Sequence, residues 1–271
     1  MARAIPAPGE GPGRATALKL YVLLCGYEFV PKAVSTRGTD RRIILAEPIT
    51  AFLIETEQGY VLFDTGVNAH ILRDPDLRQQ YYGRHGWMAP VVRPEHELLV
   101  QFDAIGVGPD DVQQVVLSHM HLDHTGNLRL FSHAQVVVQR REFSYAFSAN
   151  HSPFWFDCDY EYPGIQWRIV EGDVDLLPGV QILSTPGHTA GHQSLVVELP
   201  ETGTAVLVGD AGDLEENLSD EILPGVTFDD QAALESIRRI NRLVRERRGT
   251  VFYTHDPDFV QKARLAPACY R

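Results

Sequence analysis

The run Ser118-His119-Met120-His121-Leu122-Asp123-His124 places three imidazoles and a carboxylate within six residues, directly after the apolar stretch Val115-Val116-Leu117. Imidazole nitrogen and carboxylate oxygen are the donors that suit zinc and related transition ions. In an extended segment, residues two apart point the same way, so His119 and His121 can reach one ion. Asp123 and His124 follow as the chain begins to turn at Thr125-Gly126-Asn127, which directs them to a neighbouring ion. A purely structural site is the weaker reading, because structural zinc favours cysteine and closes every position. A loop of surface histidines fits poorly with so dense a set behind a buried strand.

Three more donors follow apolar runs elsewhere: His188 after Ser184-Thr185-Pro186-Gly187, Asp210 after Leu207-Val208-Gly209, and His255 after Tyr253-Thr254. Each alone would read as a hydrogen-bonded turn residue. Together with the first cluster they read as ligands, since a mixed α/β sheet gathers its functional loops at the carboxyl ends of its strands.

The elements that must position these residues are mostly short. Leu18–Leu24, Ile49–Glu55 and Tyr60–Phe63 read as strands, the last two joined by a turn at Glu57-Gln58-Gly59. Val112–Ser118, Ala134–Gln139, Gln181–Ser184, Ala205–Val208 and Thr250–Tyr253 read as further strands. Helical spacing marks Glu95–Ile105, Arg141–Ser148 and Gln231–Arg248, the last with Leu234, Ile237, Asn241 and Val244 on one face. Residues 67–95 read as a long loop with one short helix. Irregular alternation of strands and helices favours a mixed sheet pair covered by helices.

The chain of 271 residues carries 24 Lys and Arg against 36 Asp and Glu, a net charge of −12. That excess repels phosphate, which argues against a nucleic-acid partner and against an anionic membrane surface. A hydrophobic content of 44% excludes wholesale disorder. No apolar run approaches the ~18 residues of a membrane helix; the best, Arg42–Thr50, is broken by Glu47 and Pro48. Cys25, Cys158 and Cys269 form no CxxC pair, which points to reduced thiols and a cytoplasmic location. Residues 1–15, rich in Pro and Gly, read as a flexible tail ahead of a single domain over residues 16–271.

His119-Met120-His121-Leu122-Asp123-His124 resembles the HxHxDH signature of the metallo-β-lactamase superfamily, with His188, Asp210 and His255 as its downstream partners. The resemblance covers roughly Leu18 to Phe259. It implies an αββα sandwich, two mixed β-sheets flanked by helices, with a dinuclear site at one edge. It also implies that His119, His121 and His188 hold a first ion, that Asp123, His124 and His255 hold a second, and that Asp210 bridges them. The ions would be divalent, zinc first, with Co2+, Mn2+ or Fe2+ as alternatives. Asp64-Thr65-Gly66 resembles the family's Asp turn, which buttresses the ligands from behind.

Pro186–Ser194, Gly209-Asp210-Ala211 and Thr254-His255-Asp256 resemble the N-acyl-homoserine lactonases within that superfamily. The implied reaction is the opening of a lactone ring by hydroxide held between the two ions, which quenches quorum signals, with Asp123 shuttling a proton. His192 then reads as a buried, hydrogen-bonded residue rather than a ligand. One departure stands out: those lactonases commonly place a tyrosine three residues after the bridging Asp, where this chain has Asp213. A carboxyl cannot imitate a phenol donor unless protonated. Asp213 joins Asp123 as a candidate catalytic residue.

The implied partner is a small-molecule lactone. The alternatives are hydrolysis of another small lactone, a glyoxalase-II-like thioester or a β-lactam, and a non-catalytic or redox metal protein. His121 opposes the redox reading, because di-iron relatives tend to carry a carboxylate there. Tyr81, Tyr82, Trp87, Met88, Phe154, Trp155 and Phe156 either line an acyl groove, pack loops onto the sandwich, or form a homodimer contact.

Overall fold

Val22-Leu23-Leu24 and Phe52-Leu53-Ile54 are continuously apolar, so their strands need cover on both faces. The computed structural model, which describes residues 17–271, supplies it; the expected tail over residues 1–15 lies outside the described residues. Strands β1 (Ala17–Pro31), β2 (Ile44–Thr56), β3 (Gly59–Phe63), β4 (Val112–Val116), β5 (Gln135–Gln139) and β6 (Gln166–Val170) form one sheet in that order. Strands β7 (Val174–Leu177), β8 (Val180–Ser184), β9 (Gln193–Leu199), β10 (Gly203–Leu207) and β11 (Thr250–Phe252) form a second, ordered β11-β10-β9-β8-β7. Both are mixed. β1 to β3 pair antiparallel and β3 to β6 parallel. In the second sheet only β10 and β11 run parallel.

Side-chain alternation sorts each strand between two cores. Leu20, Val22, Phe52, Ile54 and Val116 meet Ile182, Leu195, Val197 and Leu207 between the sheets. Tyr21, Leu23, Leu53 and Val115 face outward onto Ile71, Leu98, Phe102 and Phe131 from the covering helices and loops. Val196, Val206 and Leu183 pack on Ile240 and Leu218 across the far face. The architecture is therefore the αββα sandwich of the sequence reading. Each buried Val, Leu or Phe contributes roughly 1.5–3 kcal/mol, so the three-layered apolar contact sets the relation of one sheet edge to the other.

Some elements differ from the sequence reading. β1 and β2 are longer than expected, paired antiparallel from Ala17 and Thr56 to Pro31 and Ile44. β6, β7 and β9 were not legible, since Gln166-Trp167-Arg168 and Gln193-Ser194 interrupt their apolar pattern. Residues 67–95 hold two short α-helices, Ala69–Arg73 and Pro75–Tyr81, rather than one, with a 3-10 turn at Gly83–His85. Their starts are set by side-chain caps: Asn68 accepts from His70 and Ile71 N–H, and Asp74 from Asp76 and Leu77 N–H. The long helix spans Asp230–Arg247, capped by Asp229. It buries Ala233, Ser236, Ile237 and Ile240, a face rotated away from the one expected through Asn241.

Candidate metal centre

β3, β4 and β5 run parallel and so deliver their carboxyl ends to one edge of the sandwich. β3 ends at Phe63 and Asp64 follows, its backbone in the left-handed region (φ 62°), a conformation Asp tolerates better than most residues. That turn aims its carboxylate at β4: Oδ1 accepts from Ser118 N–H at 2.7 Å, and Oδ2 lies 2.8 Å from His124 Nδ1. β4 leads into His119–His124, β8 into the turn of His188, β10 into Asp210, and β11 into His255. All seven candidate ligands converge and all are buried.

Their atoms fall into two sets. His119, His121, His188 and Asp210 offer one group of donor atoms within 4.8 Å of one another, and Asp123, His124 and His255 offer a second. Asp210 joins them: Oδ2 lies 3.6 Å from His119 Nε2 and 3.3 Å from His188 Nε2, while Oδ1 lies 3.4 Å from His124 Nε2 and 3.3 Å from His255 Nε2. Asp123 Oδ2 closes the second set, 3.3 Å from His124 Nε2 and 3.5 Å from His255 Nε2.

These spacings fit a shared cation. Ligands about 2.0–2.2 Å from one tetrahedral ion stand about 3.3 Å apart. His119 Nε2, His124 Nε2 and Asp210 Oδ1 are buried with no hydrogen-bond partner, which native interiors avoid unless something else satisfies them. Tautomers agree. A carbonyl can only accept, so His188 Nδ1 donates to Val226 O at 3.1 Å and His255 Nδ1 to Pro48 O at 3.0 Å. With the Nδ1 proton placed, Nε2 is the nitrogen each ring turns inward, and it offers a lone pair once its own proton is lost to a bound ion.

Electrostatics divide the same way. Burial pushes His119 and His121 well below the ordinary imidazole range, and neighbouring imidazoles push further. Burial acts against charge on His124 and His255 too, but Asp123 and Asp210 outweigh it and hold both well above that range. Asp123 is drawn to about 2: burial raises it, and His124 and His255 lower it more.

The Metallo-beta-lactamase superfamily model matches residues 45–255. The chain belongs to the metallo-β-lactamase superfamily. It is 31% identical over 252 residues to an N-acyl homoserine lactonase of Bacillus thuringiensis, covering 93% of this chain and 98% of that protein. It is 34% identical to the N-acyl homoserine lactonase AttM of Azorhizobium caulinodans, covering 86% and 89%. A solved N-acyl homoserine lactone hydrolase with N-hexanoyl-L-homoserine, its product, at the catalytic metal centre superposes with a TM-score of 0.82 at 29% identity, over 94% of this chain and all of that one.

Around this superfamily site lie residues the sequence did not single out. Glu142, fully buried, accepts from Met120 N–H (3.0 Å), Trp155 Nε1 (3.2 Å), Thr189 Oγ1 (2.6 Å) and Gly191 N–H (3.2 Å). It thereby ties the His119–His121 segment to the His188 turn. Its one sequence signal is position, just past the end of β5. His192 is the buried, satisfied residue expected: Nδ1 lies 2.9 Å from Thr185 Oγ1, and Nε2 accepts from Asp210 N–H at 3.0 Å.

A cavity of about 400 Å³ opens onto the cluster at His121, Asp123, His188, Asp210 and His255. Of the candidate aromatics, Tyr82, Trp87 and Phe154 line it, with Met88. Tyr81 and Phe156 instead pack on each other, and Trp155 stands edge-on against His121 at 4.2 Å. Asp213 lines the cavity, buried, with Oδ1 unpartnered.

Proposed function

We propose that this chain hydrolyses the ester of N-acyl-homoserine lactones at a centre of two divalent ions, with zinc the first choice. The observation that carries the reading is the cavity. Its floor is the histidine and aspartate cluster, and its wall is apolar, built from Phe29, Val34, Tyr82, Trp87 and Phe154. An acyl chain suits that wall, and a neutral ring suits that floor.

His119, His121, His188 and Asp210 would hold one ion, and Asp123, His124, His255 and Asp210 the other. Bound there, divalent ions supply positive charge that polarises an ester carbonyl and acidifies water. Asp123 touches both cluster and cavity, so its carboxylate accepts a proton from the attacking water and passes it to the departing alkoxide. Asp64, Glu142, Val226 O and Pro48 O hold the donor atoms in place. Asp213, in the position where the lactonases commonly have a tyrosine, meets the substrate as an acceptor unless protonated.

Thioesters of glutathione and β-lactams carry carboxylates. Among the described residues, the cavity lining includes Glu28, Glu47 and Asp213 but neither Lys nor Arg, which disfavours both substrate classes. The unpaired thiols of Cys25, Cys158 and Cys269 favour a cytoplasmic location. Residues 16–271 serve as the one hydrolase domain.

The test is a pH-stat panel of N-acyl-homoserine lactones, simple lactones, thioesters and β-lactams, with and without chelator, alongside elemental analysis. Acyl-homoserine lactones should open fastest, lose turnover on chelation, and regain it with about two equivalents of zinc. Ring opening that survives complete removal of metal would sink the reading.

A further inference from the structure

β1 is the outermost strand of its sheet, so alternate residues turn their N–H and C=O away from β2. The rest of the chain answers those groups along much of the strand. Leu20 exchanges both bonds with Tyr270, and Val22 O accepts from Ala266 N–H. The Gln101 side chain serves Leu24: Oε1 accepts its N–H at 3.0 Å, and Nε2 donates to its carbonyl at 2.9 Å. After a bulge between Leu24 and Gly26, Tyr27 exchanges both bonds with Val91, at 3.0 and 2.8 Å. Phe29 is the next residue to face outward. Among the described residues, nothing bonds its N–H or its C=O on that side.

The substrate cavity runs along this open stretch. Glu28, Phe29, Val30 and Pro31 all line it. Successive side chains of a strand point to opposite faces, so four in a row border one space only where it follows the strand's edge. The Tyr27–Val91 bridge is isolated. On from it the two chains part, and Gly86, Trp87, Met88 and Pro90 line the same cavity instead of continuing the ladder. The slot starts beside the metal ligands, since Glu28 Oε1 lies 3.8 Å from His255 Nδ1. Donors are scarce within it. Among the described residues, no Lys, Arg, Asn or Gln lines the cavity, and Ser35 Oγ already donates to Glu47.

We propose that the Phe29 N–H binds the acyl carbonyl of the substrate, so that the amide of an N-acyl lactone adds to the edge of β1 as one link of a further strand. The inference rests on the lactone-hydrolase reading above and assigns the group that tells an N-acylamino lactone from a plain one. A trans amide points its N–H and C=O in opposite directions, so one edge takes only one of them. The substrate carbonyl is the match, because a backbone N–H is left orphaned more rarely than a carbonyl, which has two lone pairs. The order of groups agrees. In an acyl-homoserine lactone the amide sits on the ring carbon next to the ester carbonyl. With the ester at the cluster, the amide meets Phe29, one residue on from Glu28, and the acyl chain continues past Val30 and Val34.

The test uses the metal-loaded protein and two γ-butyrolactams, which resist opening. One bears an α-hexanoylamino group, the other an α-heptyl chain of the same length without an amide. Calorimetry gives the ratio of their affinities. Phe29→Pro removes the N–H, a change an edge strand accepts where that group faces away from the ladder. It should cut the ratio in favour of the amide ring about three- to tenfold, the worth of one neutral hydrogen bond, at unchanged metal content. If that variant fails to fold, phenyllactic acid at the same position replaces the N–H by oxygen and keeps the side chain, and the same fall is expected. A ratio unmoved by loss of the N–H overturns the proposal. Its fall in Tyr82→Phe or Trp87→Phe instead would hand the carbonyl to a side chain. The corresponding lactones separate the two readings. Opening of both lactones, with relative kcat/KM untouched by loss of the N–H, defeats the edge contact alone. A shifted lactam ratio without opening of any lactone defeats the hydrolase alone.

Discussion

Asp64 Oδ2 and His124 Nδ1 lie 2.8 Å apart although sixty residues separate them in the chain. The same carboxylate accepts Ser118 N–H, so one side chain fixes both the start of the ligand segment and the ring that ends it. Asp64→Ala should weaken metal binding at the Asp123–His124–His255 set by about 10- to 100-fold, the usual loss when a ligand's supporting carboxylate goes. Competition against a chromophoric chelator reads this directly. Wild-type affinity in the variant would show that His124 holds its orientation without help.

Glu142 answers three donors from two ligand-bearing loops and a fourth, Trp155 Nε1, from the segment beside them. Glu142→Ala strands all four, and each buried unsatisfied donor costs about 1–3 kcal/mol. A loss of more than about 3 kcal/mol in urea unfolding is expected, with Glu142→Gln between that and wild type because one carbonyl oxygen remains. A loss under about 1 kcal/mol for Glu142→Ala would mean that the loops hold together by packing alone.

Gly209 has φ 57°, and a Cβ built there would sit 2.7 Å from His192 Nε2 and 3.1 Å from Ser118 Cβ. His192 Nε2 is the acceptor for Asp210 N–H. Gly209→Ala should therefore displace the Asp210 turn and lower bound metal and turnover together, while circular dichroism keeps its native shape. Full metal occupancy in that variant would contradict the tight fit.

Asp159 supplies a pH dependence. Burial lifts its carboxyl to about 7, partly offset by hydrogen bonds from Asn68 and Thr125. The folded state therefore holds a proton that the unfolded chain has released, and stability falls as pH rises from about 4 to about 7. A rise from 3.8 to about 7 sets a ceiling of about 4 kcal/mol. Asp159→Asn removes this term, so its unfolding midpoint should gain on wild type across that window and run level with it above. A difference independent of pH would show that Asp159 titrates normally.

The metal donors were legible because the signal is local. Three histidines and an aspartate crowd into His119–His124, and His188, Asp210 and His255 each follow an apolar run, two of them at once after a glycine. The sandwich was legible from the mixture of hairpins and crossovers together with the family signature. Other features had no such signal. Pro48 and Val226 act through backbone carbonyls, which every residue has. Glu28 and Glu47 lie nineteen positions apart and meet only through the β1–β2 register; a slip of one residue would send either to the opposite face. β6 and β7 carry no clear apolar period, because they are short, partly exposed strands with polar residues inside them.

By itself, then, the sequence determined which donor groups exist and the order in which strands would carry them to an edge, because residue type sets ligand chemistry and apolar runs set strands. Tertiary structure decided which nitrogen of each imidazole faces inward and which carboxylates share the cavity. Those depend on carbonyls and side chains supplied from far along the chain, and only packing of the two sheets brings them within hydrogen-bond reach.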